Sequence, residues 1–128
     1  MQNKLKAVDE FHDIFKIGKA KDTVDFLSEK ESKLRFNLMK EENEEYLEAC
    51  ENNDLVEIAD ALGDQLYILC GTILKHGMQH KIEEVFDEIH RSNMSKLDEK
   101  GNPIFREDGK VLKGKGYFKP NIKEILDK

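Results

Sequence analysis

Glu57-Ile-Ala-Asp60-Ala-Leu-Gly-Asp64-Gln-Leu-Tyr67-Ile-Leu-Cys-Gly71-Thr-Ile-Leu74 is the stretch that decides the fold. From Gln65 to Leu74 it carries no charge, and a helix that is apolar almost all round is buried against neighbours. At about 100° per residue, Glu57, Asp60, Asp64 and Tyr67 nevertheless share one stripe, at i, i+3, i+7 and i+10. An acidic stripe on a buried helix is not an ordinary solvated face. Working outward, Asp54 is a candidate N-cap for a helix over 55–76, with Gly77 as its stop. A long helix over 30–51 precedes it, capped by Ser28 or Ser32 and ended by Glu51-Asn52-Asn53. Before that, Leu5, Val8, Phe11 or His12, and Phe15 form the apolar side of a helix over 3–16 that ends near Gly18, and the stretch through Asp22 and Thr23 is a connection. Ile82, Phe86 and Ile89 mark a fourth helix over 79–95. Four helices with short loops indicate an all-α chain, a four-helix bundle with a short C-terminal hairpin and tail. The expected organisation is a single domain over 1–128, with a helical core over 3–96 and a hairpin and basic tail over 97–128.

The long helix repeats the acidic theme. Glu41, Glu42 and Glu45 fall in one sector with Leu34, Leu38 and Ala49, while Glu44 and Glu48 lie outside it beside Lys40. Carboxylates clustered on a packing face cannot all stay ionised, because desolvation and mutual repulsion both raise their pKa values. A hard divalent cation resolves that conflict. Oxygen-only ligands suit Mg²⁺, with Mn²⁺ as a substitute, and substrate phosphates often complete such sites. The competing explanation is chance, since 27 Asp and Glu in 128 residues produce some i,i+3 acid pairs on any surface.

Composition narrows the classes. A chain of 14.9 kDa supports one core and leaves no room for a second. The net charge of −6 argues against general nucleic-acid binding, which needs Lys and Arg to neutralise phosphates. Cys50 and Cys70 are too few and too isolated for a disulfide framework or a zinc site. The N-terminus has no apolar run of signal-peptide length and no stretch approaches about 20 apolar residues, so the expectation is a soluble, cytoplasmic protein with no membrane partner.

A basic half complements the acids. Asn93 and Lys96 share the face of Ile82, Phe86 and Ile89; Asn93 suits a base, a phosphate or a ligating carboxylate, or else a helix C-cap. Lys96 suits a phosphate, or else snorkels to solvent. In the tail, Asp108-Gly109 between short apolar segments is a hairpin signal. Lys113, Lys115 and Lys119 flank Tyr117, as a phosphate-binding flap or as a solvated tail with an aromatic anchor. His12 is placed to stack on or hydrogen-bond to a base, or to be a satisfied core histidine. Asp87-x-x-His90 invites a di-iron reading, but one such pair, away from the apolar face, does not supply it.

These residues resemble a known family. Glu41-Glu42-x-x-Glu45, then Glu57-x-x-Asp60 before Gln65-Leu-Tyr-Ile-Leu, look like the all-α nucleoside triphosphate pyrophosphohydrolases, the MazG-like and dimeric-dUTPase-like superfamily. Val8-x-x-Phe11-His12, Ala59-Asp60-Ala-Leu-Gly-Asp64, His90-Arg91-Ser-Asn93-Met-Ser-Lys96 and Asp108-Gly-Lys-Val-Leu-Lys113 resemble its phosphoribosyl-ATP pyrophosphohydrolase-like branch. The resemblance implies Mg²⁺-dependent hydrolysis of a nucleoside triphosphate to the monophosphate and pyrophosphate. It implies Glu42 and Glu45 as metal ligands, with Glu41 a further ligand or the base that orients water. Two registers fit the third helix. Glu57-x-x-Asp60 has the Glu-x-x-Asp spacing, whereas the register that ends on Asp64 puts Ala61 where the family has Glu. Asp60 and Asp64 are both expected to ligate, with Glu57 secondary; Tyr67, Asn93, Lys96, Lys113, Tyr117 and His12 are the expected substrate contacts. Two alternatives differ in class: a catalytically impaired nucleotide- or metal-binding helical oligomer, kept open by Ala61, and phosphoribosyl-ATP pyrophosphohydrolase itself. The apolar third helix further predicts a homodimer or homotetramer.

Overall fold

Ser28 and Asp54 each leave a side-chain oxygen beside the open amides that begin a helix, and both serve as N-caps in the computed structural model, which describes residues 1–20 and 23–128. Ser28 accepts from the Glu31 N–H at 3.1 Å, and Asp54 from the Glu57 N–H at 3.1 Å. The helices are α1 (Gln2–Ile14), α2 (Glu29–Glu51), α3 (Leu55–Lys75), α4 (Ile82–Met94) and α5 (Ile122–Asp127). Among the described residues there is no strand, so the all-α expectation holds. Lys21 and Asp22, within the connection expected before α2, lie outside the described residues. The chain divides into two compact units, Met1–His80 and Lys81–Lys128.

In the first unit α3 packs against both α1 and α2. Leu5 and Val8 of α1, Ala49 of α2, and Ala61, Cys70, Ile73 and Leu74 of α3 form its core. Of the charge-free stretch, Cys70, Gly71, Ile73 and Leu74 are buried, whereas Leu66, Tyr67 and Leu69 are exposed, so the helix is covered along one side and not all round as its composition suggests. Past the α3 cap, Gly77 takes a φ of 71°, the left-handed conformation that stops a helix.

The packing face of α2 differs from the one its leucines suggest. Leu34 is 55% exposed, and Glu41 is exposed, whereas Arg35 is buried. The Arg35 Nε donates to Thr72 Oγ1 at 3.0 Å and Nη2 to the Ile68 carbonyl at 2.9 Å, which joins α2 to α3 through a polar anchor. The face that meets α3 therefore runs through Arg35, Leu38, Met39, Glu42, Tyr46 and Ala49, all buried or half-buried. Gly71 makes this approach possible: a Cβ there would lie 2.6 Å from Arg35 Nη2 and 2.8 Å from His12 Nε2.

In the second unit α4 packs with α5, a six-residue helix too short to show a period in the sequence. Asn121 caps it and Ile125 is buried. The expected hairpin is a single antiparallel bridge, Phe105 to Val111, flanked by Arg106 N–H to Lys110 and Leu112 N–H to Ile104 carbonyl bonds of 2.8 Å. Gly109, at φ 88°, closes its turn.

Candidate functional site

Because the packing face of α2 runs through Glu42, that carboxylate is carried toward α3, where it meets Asp64. Glu42, Glu45 and Asp64 each offer a carboxylate oxygen, and the three lie within 4.8 Å of one another. Burial first, then a hydrogen bond and charge from Glu45, then the charges of Asp64 and Asp60, push the Glu42 pKa up to about 7. Burial, Asp60 and Glu45 raise that of Asp64 in the same direction. Beside the acids, the Gln65 amide donates to Asn43 Oδ1 at 3.2 Å and ties α2 to α3 next to the cluster. Neither amide belongs to a repeating pattern, so no sequence signal marked them.

Glu45 also borders a cleft of about 440 Å³ lined by Glu48, Ala49, Asn52, Asp54, Glu57 and Asp60. Asp60 and Glu57 thus sit on an exposed acidic rim, with Asp60 close enough to raise the pKa values of the half-buried Glu42 and Asp64. Ala61 is 2% exposed, so the register that ends on Asp64 replaces a carboxylate by a core methyl.

The cluster fits a hard divalent cation on two grounds. All its donors are carboxylate oxygens, and Glu42 Oε2 is buried with no hydrogen-bond partner. Among the described residues no other His, Cys, Asp and Glu group has such geometry, and Asp87 and His90, both exposed, do not join one.

The remaining site residues divide between the units. In the first, Tyr67 meets Phe11 edge to face, with ring centroids 5.6 Å apart. His12 is 3% exposed, and its Nδ1 lies 2.9 Å from the Gly18 carbonyl. Burial, then the charges of Arg35 and Lys75, hold its pKa low against the pull of that carbonyl and of Asp9. It occupies the core position, and in this arrangement its ring is not presented to a base. In the second unit Asn93 is exposed in the last turn of α4, while the C-cap is Ser95. The Lys96 carbonyl accepts the Gly114 N–H at 2.9 Å, which brings Lys96 to the tail. The Lys113 Nζ lies 4.7 Å from the centroid of the Tyr117 ring. Lys96, Lys113 and Tyr117 are thus gathered at the C-terminal end of α4.

The family model for phosphoribosyl-ATP pyrophosphohydrolase matches residues 8–93. An uncharacterized protein of Acanthamoeba polyphaga mimivirus is 31% identical over 99 residues, which cover 75% of this chain and 36% of that protein. The chain thus spans about a third of the length of that curated relative. Among the described residues no helix is long and apolar enough to cross a membrane.

Proposed function

The chain belongs to the phosphoribosyl-ATP pyrophosphohydrolase family, a branch of the all-α nucleoside triphosphate pyrophosphohydrolases, and on that premise we propose that it is a Mg²⁺-dependent hydrolase of a nucleoside triphosphate. It cleaves between the α and β phosphates of a ribo- or deoxyribonucleotide, giving the monophosphate and pyrophosphate, in house-cleaning or control of the nucleotide pool. The observation that carries this reading is the cluster of Glu42, Glu45 and Asp64, with its unpartnered buried oxygen.

In this reading Glu42, Glu45 and Asp64 hold the cation, with Asp60 beside them and Glu57 on the rim. A bound Mg²⁺, or Mn²⁺ in its place, supplies Lewis-acid polarisation of phosphate oxygens. Glu41, exposed next to Glu42, orients the attacking water and takes its proton. Asn93, Lys96, Lys113, Tyr117 and Tyr67 contact substrate. The chain acts as one functional domain over 1–128, in the cytoplasm, as a homodimer or homotetramer. Pyrophosphate release with Mg²⁺, measured over a panel of nucleotides, tests the reaction: no release from any of them by folded protein would refute it.

A second reading, phosphoribosyl-ATP as the substrate, draws on the description of the matched family. Comparing phosphoribosyl-ATP with dUTP decides between them, since kcat/KM favours the substrate whose transition state the site was built to bind.

A further inference from the structure

Phe11 lies in the last turn of α1 and Phe15 at its C-cap, and their ring centroids are 4.4 Å apart with planes tilted by 33°. Tyr67 of α3 completes the group, edge to face on Phe11 at 5.6 Å and 80°. Phe15 is 64% exposed and Tyr67 42%, while Phe11 between them is half-buried. A single exposed phenylalanine needs no explanation, but three contiguous aromatic rings that reach solvent do.

The path of α1 places these rings. Gln2 donates to the Gln79 carbonyl beyond the end of α3, His12 lies against Gly71, and Phe11 meets Tyr67, so α1 runs antiparallel to α3. Its last turn therefore approaches the half of α3 that carries Asp64. Tyr67 stands one turn from Asp64, about 60° around the helix, with about 5–6 Å between their Cβ atoms. Leu62 and Leu66, in contrast, lie about 160° from Asp64. The rings thus adjoin the cation cluster and not the leucine side of α3, and rings and cluster belong to the same unit, Met1–His80. The end of α1 is also fixed in place. The buried His12 has its Nδ1 2.9 Å from the Gly18 carbonyl, and the Phe15 and Ile17 N–H groups donate to the Phe11 and His12 carbonyls, each at 2.9 Å. Rings that are ordered before a ligand arrives lose little conformational freedom on binding it.

We propose that Phe15, backed by Phe11 and Tyr67, is the stacking platform for the nucleobase of the substrate, the residue that distinguishes a nucleotide from a bare polyphosphate. The inference rests on the nucleotide reading above and deepens it. It transfers the base contact from His12, which the core holds, to the neighbouring rings, and it gives Tyr67 a defined part of the substrate to support. Stacking reads the face of a base and not its edge, so the platform accepts every base and discriminates weakly among them.

The test uses the full chain with Mg²⁺, the best nucleotide of the panel in steady-state kinetics, and inorganic tripolyphosphate as a competitor without a base. Phe15→Ala is expected to raise KM about tenfold, as for the loss of one base–aromatic stack, with kcat within about twofold and inhibition by tripolyphosphate unchanged. Phe15→Trp keeps a ring and should keep KM near that of the wild type. Phe15→Leu keeps apolar bulk without a ring and should behave as Phe15→Ala does; should Phe15→Ala fold poorly, it carries the test. An unchanged KM in a folded variant overturns the proposal and leaves the reaction standing. So does tripolyphosphate inhibition weakened as much as nucleotide binding, or a shift in sedimentation without a change in KM, which would assign the rings to self-association. If the wild-type chain hydrolyses no nucleotide, calorimetry with adenosine monophosphate decides. Binding that Phe15→Ala abolishes keeps the platform and removes the reaction, and no binding overturns both.

Discussion

Burial, and after it the acidic neighbours, keep the Glu42 carboxylate protonated above the usual range. Its pKa of about 7 in the folded chain exceeds the 4.5 of an unperturbed glutamate, so the folded state binds the proton more tightly than the unfolded one. Stability from this group is therefore fully present below about pH 4.5 and is lost as pH rises through about 7. For metal-free protein, the Tm is expected to fall across that window, and Glu42→Gln should flatten the fall. A cation that neutralises the cluster stabilises the ionised form, so Mg²⁺ should raise Tm more at pH 8 than at pH 5. Equal shifts at both pH values would argue against Mg²⁺ at these carboxylates. Glu45→Gln separates chemistry from folding at the same place. It removes one repelling charge, so metal-free Tm should hold or rise while kcat drops about 100-fold or more. Loss of the fold instead would give Glu45 a structural role.

At the scale of the elements, the contact between α2 and α3 depends on a cation in the core. Arg35 reaches Thr72 and the Ile68 carbonyl across the interface, and Gly71 leaves the space for it beside His12. In Gly71→Ala the added methyl meets two side chains already held by hydrogen bonds, so it is expected to cost about 1–3 kcal/mol. Thermal unfolding measures this, and an unchanged Tm would mean that the neighbours yield freely. The same arginine explains where the sequence was hard to read. Helix starts were legible because Ser28 and Asp54 cap by local chemistry. The two acidic stripes were legible because helical spacing and charge desolvation are local arguments too, whereas the meeting of Glu42 and Glu45 with Asp64 across two helices was expected from the family resemblance. The rotation of α2 was not. Hydrophobic periodicity assigns a face to Leu34 and excludes a charged residue, whereas the actual face is set by Arg35 and its partners on another helix. That is why Glu41 and Glu45 share a sector with Glu42 on a helical wheel yet stand exposed on the molecule while Glu42 is half-buried. The attachment of the tail through Ser92, Ser95 and Gly114 escaped for the same reason: each contact joins residues far apart in sequence.

At the scale of the whole molecule, the apolar surface exceeds what one chain covers. On α3, Leu55, Leu62, Leu66 and Leu69 lie within about 60° of one another on a helical wheel, on the side opposite Asp64, and all are exposed. Phe86 and Ile89 of α4 are exposed as well. Scattered leucines on a surface need no explanation, but a continuous stripe along one helix is the signature of an association face. A symmetric partner would bury the leucines and leave the acids of the opposite side open to cation and substrate. The expected outcome is sedimentation at twice or four times the 14.9 kDa chain mass at micromolar concentration. Leu62→Glu would put a charge into that stripe and is expected to shift the protein toward the single-chain mass while the far-ultraviolet dichroism stays helical. A wild-type chain that sediments at 14.9 kDa would show that the stripe serves something other than self-association.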